Sequence, residues 1–111
     1  MPECDQIIKL MRLMPEKGAS DFFVFAGKKA FYKINNSIQC ASDEIIEHAS
    51  INVFAEQYLC PEMRKRLTER GSCDIGVSLD KTMRYRVNFF IKQGLLCFVA
   101  RFISVLNMGF D

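Results

Sequence analysis

Apolar positions recur along this chain with two periods, and the places where the period changes mark its elements. Over residues 3–15, Ile7, Ile8, Leu10, Met11 and Met14 fall at helical spacing, with Lys9 and Arg12 on the other side, so an amphipathic helix is predicted. Pro15 is expected to close it, because the residue before a proline is steered away from helical angles, and residues 17–20 read as a loop. Residues 21–25 are rich in β-formers and end near Gly27, which predicts a buried strand. Lys28-Lys29 reads as a polar turn, residues 30–34 as a second strand and residues 37–40 as a short third one. Asn35-Asn36 between them is a hairpin turn, since Asn tolerates positive φ.

Ser42 followed by Asp43-Glu44 offers a capping side chain and then acids over the positive end of a helix dipole. It predicts a helix running to about Tyr58, with Ile45, Ile46, Ala49, Val53 and Phe54 as its apolar face. Pro61 suits a first turn, and residues 61–70 make a further helix ended by Gly71. Residues 74–79, 83–90 and 95–103 are three strands separated by turns at residues 80–82 and at Gln93-Gly94. The order α-β-β-β-α-α-β-β-β defines an α+β domain, a mainly antiparallel sheet covered by helices.

The length of 111 residues fits one domain and one core. Half the residues are hydrophobic, and ten Phe with no Trp point to a core of Phe, Ile, Leu and Val. A net charge of +2 is too small to argue for nucleic acid, and Arg64-Lys65-Arg66 reads as a solvated helix face. The five cysteines show no C-x-x-C spacing and have only His48 for company, which does not make a zinc site of standard pattern. They read as reduced thiols, mostly buried. No stretch approaches the roughly 20 apolar residues of a membrane helix. The start Met1-Pro2-Glu3-Cys4-Asp5 is acidic where a secretory signal is basic, so a cytoplasmic protein without membrane insertion is expected.

Local chemistry supplies no enzyme. A phosphate-binding Gly-rich loop, a dinucleotide fingerprint and a nucleophile elbow are all missing, and His48 stands alone on a predicted helix. Two arginines are less ordinary. Arg86 and Arg101 lie in apolar strands, and their midpoint falls at the Gln93-Gly94 turn, so a hairpin brings them together with both side chains on one face. An arginine in such a strand must find water or an anion, because an unpaired buried charge is costly. Two readings stay open: edge arginines pairing with acids of the same domain, or a two-arginine clamp for phosphate, whose oxygens suit planar guanidinium forks.

A family resemblance runs along about 100 residues. Lys17-Gly18-Ala19-Ser20-Asp21-Phe22, then Ala26-Gly27, then Tyr32-Lys33-Ile34-Asn35, resembles the opening "GASDLH…AG…P…R-[VI]-[DN]-G" of the type IV pilus retraction ATPases, the PilT/PilU group. Cys73 to Ser78 resembles the family's "[CT]-[DN]-F-x-[IV]" strand, Arg84-Tyr85-Arg86-Val87-Asn88-Phe89-Phe90 its "RFRVN-x-F", and Val99 to Ile103 its "V-x-R-x-I". Ile7-Ile8-x-x-Met11 echoes the PilU branch.

The resemblance implies a PAS-like N-terminal domain over residues 1–103 and, over 104–111, the start of a linker to a RecA-like ATPase core. In the family that core carries Walker A and B motifs, binds ATP and Mg, and assembles as a cytoplasmic hexameric ring at the inner-membrane base of the pilus machine. The N-terminal domain packs on a neighbouring core. The ring drives pilus retraction and twitching motility, working against an inner-membrane platform protein. The resemblance further implies that Arg86 and Arg101, and less clearly Arg84, reach nucleotide phosphates of a neighbour, while this chain carries no cofactor, metal or catalytic residue of its own. Departures from the pattern are Asp21-Phe22-Phe23 for "DLH", Lys28-Lys29-Ala30 where the turn has prolines, Asn35-Asn36 for "DG", and a short turn after Leu79. Two alternatives are compatible with the same residues: a free-standing adaptor that modulates a pilus or secretion ATPase, and a PAS-like small-molecule sensor.

Overall fold

The computed structural model describes residues 4–105, with side chains through Ile103. Its elements are α1 (Asp5–Lys17), β1 (Ala19–Val24), β2 (Lys28–Ile34), β3 (Ser37–Ile46), α2 (His48–Tyr58), α3 (Pro61–Arg70), β4 (Ser72–Ser78), β5 (Met83–Lys92) and β6 (Leu95–Val105). The strands form one sheet in the order β3-β2-β1-β6-β5-β4, and every neighbouring pair is antiparallel. The α+β architecture and the element order are those expected from the periodicity. The two three-strand meanders join at the centre, where β1 pairs with β6. Residues 104 and 105 belong to β6, and the remainder of the expected linker lies outside the described residues.

Strand alternation sends one set of side chains toward the helices. Phe22 and Val24 of β1, Tyr85, Val87 and Phe89 of β5, and Phe98 and Ala100 of β6 are buried there against Ile7, Met11 and Met14 of α1 and Ile51 and Phe54 of α2. Phe54 stacks on Phe98 at 4.9 Å and lies 6.0 Å from Phe89, while Phe22 meets Phe98 edge-on at 6.0 Å. Each such ring or aliphatic chain removed from water stabilises the fold by about 1.5–3 kcal/mol, and this packing is what holds the helices to one face.

Pro15 does not close α1. The helix continues through it to Lys17 and ends at Gly18, whose φ of 70° is left-handed. A proline inside a helix removes the amide that would bond the carbonyl four residues back, here Met11. In this fold the Tyr85 hydroxyl of β5 donates to the Met11 carbonyl at 2.6 Å. Tyr32 of β2 donates to the preceding carbonyl, Leu10, also at 2.6 Å. The sheet therefore satisfies the acceptor that the proline orphans, and sequence adjacency could not reveal it. Arg12 adds a peripheral tie, reaching Asp80 at 2.6 Å. Asp80 also accepts from the Thr82 amide at 2.8 Å, which shapes the β4–β5 turn, and these donors hold its carboxyl well below the usual carboxylate range.

The expected helix from Ser42 is corrected as well. Asp43 to Ile46 belong to β3, and α2 starts only at His48, with Glu47 as its cap residue. Lys28 pairs with Ile46 and Lys29 with Ile45, and the Gly27 amide donates to the Ile46 carbonyl at 2.8 Å. Ile45 is 53% exposed and Ile46 1%, the opposite facing of strand neighbours rather than a shared helix stripe. The Ser42 hydroxyl donates to the Glu44 carbonyl at 2.7 Å instead of capping an amide. The apolar face of α2 is accordingly Ile51, Phe54 and Ala55, and Ala49 is exposed.

Tyr85→Phe leaves the Met11 carbonyl without a donor and is expected to cost about 1–3 kcal/mol in urea unfolding. Tyr32→Phe is expected to cost less, because Leu10 keeps its regular helical donor. Combining Tyr85→Phe with Pro15→Ala restores an amide to the Met11 carbonyl and should reduce the loss; an equal loss in both backgrounds would reject this account. Burial pushes both phenols from 10.0 up to about 12. Their contribution is fully present below pH 10 and is lost as pH rises toward 12, so alkaline unfolding should be shallower in either Phe variant.

Candidate functional site

Among the described residues, the opposite face of the sheet carries no helix, and the register writes its side chains in rows. Arg86 lies directly opposite Arg101, Arg101 opposite Asp21, and Asp21 opposite Lys33, while Gly76 is Arg86's neighbour on the other side. Directly opposed residues share a face, so both arginines project to the helix-free side. They come from interior strands: β5 is one strand in from the edge, and β6 is central. The reading of them as edge residues is thereby corrected. Arg84, opposite Ser78, lies on the same face and is exposed. The Arg84/Tyr85 bulge separates its row from that of Arg86 and Arg101.

Arg86, Arg101, Asn88, Val99 and Asp74 line a shallow hollow of about 260 Å³. Arg101 Nε sits 3.8 Å from an Asp21 oxygen, with the arginine side chain 68% exposed and the aspartate 16%. That ion pair is loose and solvated, and pairs of this kind contribute little to stability. Arg86 makes no ion pair among the described residues. The two arginines thus stand opposite each other in the register, with Asp21 paired to Arg101 and Asp74 in the lining of the same hollow.

Another part of the face is half-buried and apolar. Phe23 and Phe31 oppose each other, Phe23 also opposes Val99, and Phe25 meets Phe90 edge-on at 5.9 Å with the Lys92 ammonium 5.3 Å from its ring centre. Asp21, the partner of Arg101, escaped the sequence reading as a site residue. Its signal was weak, because β1 and β6 are far apart in the chain and nothing local announces that they pair. His48 lies at the start of α2, 3.3 Å from Asn52, and is not part of the hollow that Arg86 and Arg101 line. Cys4, Cys73 and Cys97 are buried and Cys40 and Cys60 exposed, with no disulfide among the described residues. No group of three metal-ligating side chains comes together among them, and no helix is long and apolar enough to cross a membrane.

No protein-family model matches the sequence. The fold is that of a crystal structure of the pilus retraction motor PilT with bound ADP, with a TM-score of 0.76 at 22% identity over 95% of this chain and 30% of that one. It is also that of the Legionella pneumophila ATPase DotB, with a TM-score of 0.75 at 15% identity over 92% of this chain and 29% of that one. At these identities the likeness defines the fold of the chain. In sequence, the chain is 32% identical over 101 residues to the type IV pilus ATPase PilU of Pseudomonas aeruginosa. The match takes in 86% of this chain and 25% of the relative, so the chain spans about a quarter of that protein's length. The chain is homologous to the N-terminal domain of the PilT/PilU-type ATPases.

Because Arg86 and Arg101 are exposed, with no buried partner, Arg86→Ala and Arg101→Ala are each expected to change stability by less than about 0.5 kcal/mol in urea unfolding. A larger loss would make them structural residues.

Proposed function

We propose that this chain serves as the N-terminal assembly and regulatory domain of a hexameric type IV pilus retraction ATPase. In this reading it works in the cytoplasm at the inner membrane and packs on the RecA-like core of a neighbouring subunit. Residues 104–111 lead toward a core of its own, and the assembled ring acts on a platform protein to retract pili in twitching motility. The chain itself performs no hydrolysis; ATP and Mg bind the core. Arg86 and Arg101, with Arg84 beside them, reach the phosphates of the neighbouring nucleotide and counter the charge that builds up as the phosphoryl group transfers.

The observation that carries this reading is the direct opposition of Arg86 and Arg101 on the one sheet face that the domain's helices leave open. Two like charges placed opposite each other are unfavourable in the isolated sheet, which fits a site completed by an anion from elsewhere. A ligand-enclosing sensor domain is not supported, because the layer between sheet and helices is filled by the rings of Phe22, Phe54, Phe89 and Phe98.

In a full-length polypeptide containing this domain and its core, Arg86→Ala and Arg101→Ala should each lower ATPase turnover at least about tenfold, well within the range that arginine fingers supply, with hexamer formation retained. Steady-state turnover measured beside size-exclusion profiles decides the matter, and wild-type turnover in both variants rejects the arginine assignment.

A further inference from the structure

Among the described residues, no strand pairs with the outer edge of β4. Its pairing with β5 runs without interruption from Ser72↔Phe90 to Ser78↔Arg84. The Ile91 amide donates to the Gly71 carbonyl at 3.0 Å and the Leu79 amide to the Met83 carbonyl at 3.1 Å. These bonds fix the phase of the ladder: in an antiparallel pair bonded and unbonded positions alternate, so Cys73, Ile75 and Val77 bond to β5. The amides and carbonyls of Asp74, Gly76 and Ser78 turn outward. The strand holds no proline, lysine or bulge of the kind that normally blunts an edge, and Asp74 is its one charged side chain. The opposite edge is different, because β3 departs from regular pairing between Cys40 and Ile45, where it carries Asp43 and Glu44.

Gly76 has no local explanation. Its φ is not in the left-handed region, and a Cβ built on it meets nothing within 4 Å. Glycine inside a regular strand weakens it and marks places where a ligand or another backbone approaches closely. Here it sits beside Arg86 on the helix-free face, and Ser78 sits beside Arg84. Neither arginine makes an ion pair among the described residues.

We propose that the β4 edge takes up an extended acidic segment of another polypeptide as an additional antiparallel strand. Its backbone bonds to Asp74, Gly76 and Ser78. A carboxylate opposite Gly76 reaches across the missing side chain to Arg86, spanning two strand spacings of about 4.8 Å each. A second carboxylate opposite Ser78 meets Arg84, and a basic residue opposite Asp74 sets the register. Residues at the alternate positions are apolar and lie beside Ile75, which is only half-buried. Binding is a property of this chain alone and does not rest on the nucleotide reading, although an occupied edge engages Arg86 and so competes with phosphate there.

The probe is the peptide acetyl-Ser-Glu-Val-Glu-Val-Lys-Val-Thr-amide, titrated without nucleotide into the isotope-labelled full chain. The expected result is saturable shift changes and slowed hydrogen exchange at the amides of Asp74, Gly76 and Ser78, with Ile38 and Cys40 on the other edge unaffected. A peptide with Glu and Lys exchanged should bind at least tenfold more weakly. Gly76→Val, which suits a strand but fills the gap, should keep the fold, raise the urea midpoint and lose at least tenfold in affinity. Arg84→Ala provides the same loss from an exposed position should the glycine variant misfold. Unchanged exchange at the three amides under excess peptide overturns the proposal, as does equal binding of the two peptides. Protection of those amides that grows with protein concentration alone also overturns it, since the occupant is then a second copy.

Discussion

A hydroxyl buried between helix and sheet secures α1 at the point where its sequence is least compatible with a helix. Pro15 strips the Met11 carbonyl of its donor, and Tyr85 replaces that donor from a strand that lies about seventy positions away in the chain. Tyr32 makes the parallel bond to Leu10 from the other half of the sheet. The two tyrosines sit on β5 and β2, on either side of the central β1–β6 pair, so α1 is fixed to both meanders at once. Their rings also contribute buried surface, and an acceptor left dry at this site would be expensive.

Seating α1 on one side of the sheet, with α2 and α3 beside it, leaves the other side without a helix. Everything of functional interest follows from that asymmetry. Strand alternation sends Tyr85, Val87 and Phe89 inward and therefore Arg84 and Arg86 outward, and the same parity puts Phe98 and Ala100 in and Arg101 out. The positions of the arginines are a geometric consequence of the core. Their mutual register depends on the tight Gln93-Gly94 turn, both of whose residues have positive φ; a slip of one residue there would send Arg101 into the interior.

The parts legible in the sequence were those governed by short-range periodicity. The α3 helix starts at Pro61 and stops before Gly71, the Asn35-Asn36 turn closes β2 and β3, and the β5–β6 hairpin brings Arg86 opposite Arg101. Local spacing misleads where a distant strand decides the outcome. Ser42, Asp43 and Glu44 carry strong helix-start chemistry, yet pairing of Lys28 and Lys29 with Ile46 and Ile45 draws that segment into β3. Pro15 looks like a helix terminator only while Tyr85 is out of view. Asp21 looked like the head of a strand, and its place beside Arg101 comes from the β1–β6 pairing that joins the two ends of the domain.

The sequence by itself therefore determined the element types, their order and the two-faced character of the strands, because these depend on spacings within a few residues. It also carried the arginine pair, since one turn and a parity argument suffice to place it. Only the tertiary structure decided where α1 ends, where α2 begins, which acid meets Arg101 and which strand edge stays open. Those outcomes depend on hydrogen bonds and pairings between segments far apart in the chain, whose partners become neighbours only once the hydrophobic core has brought the two halves of the sheet together.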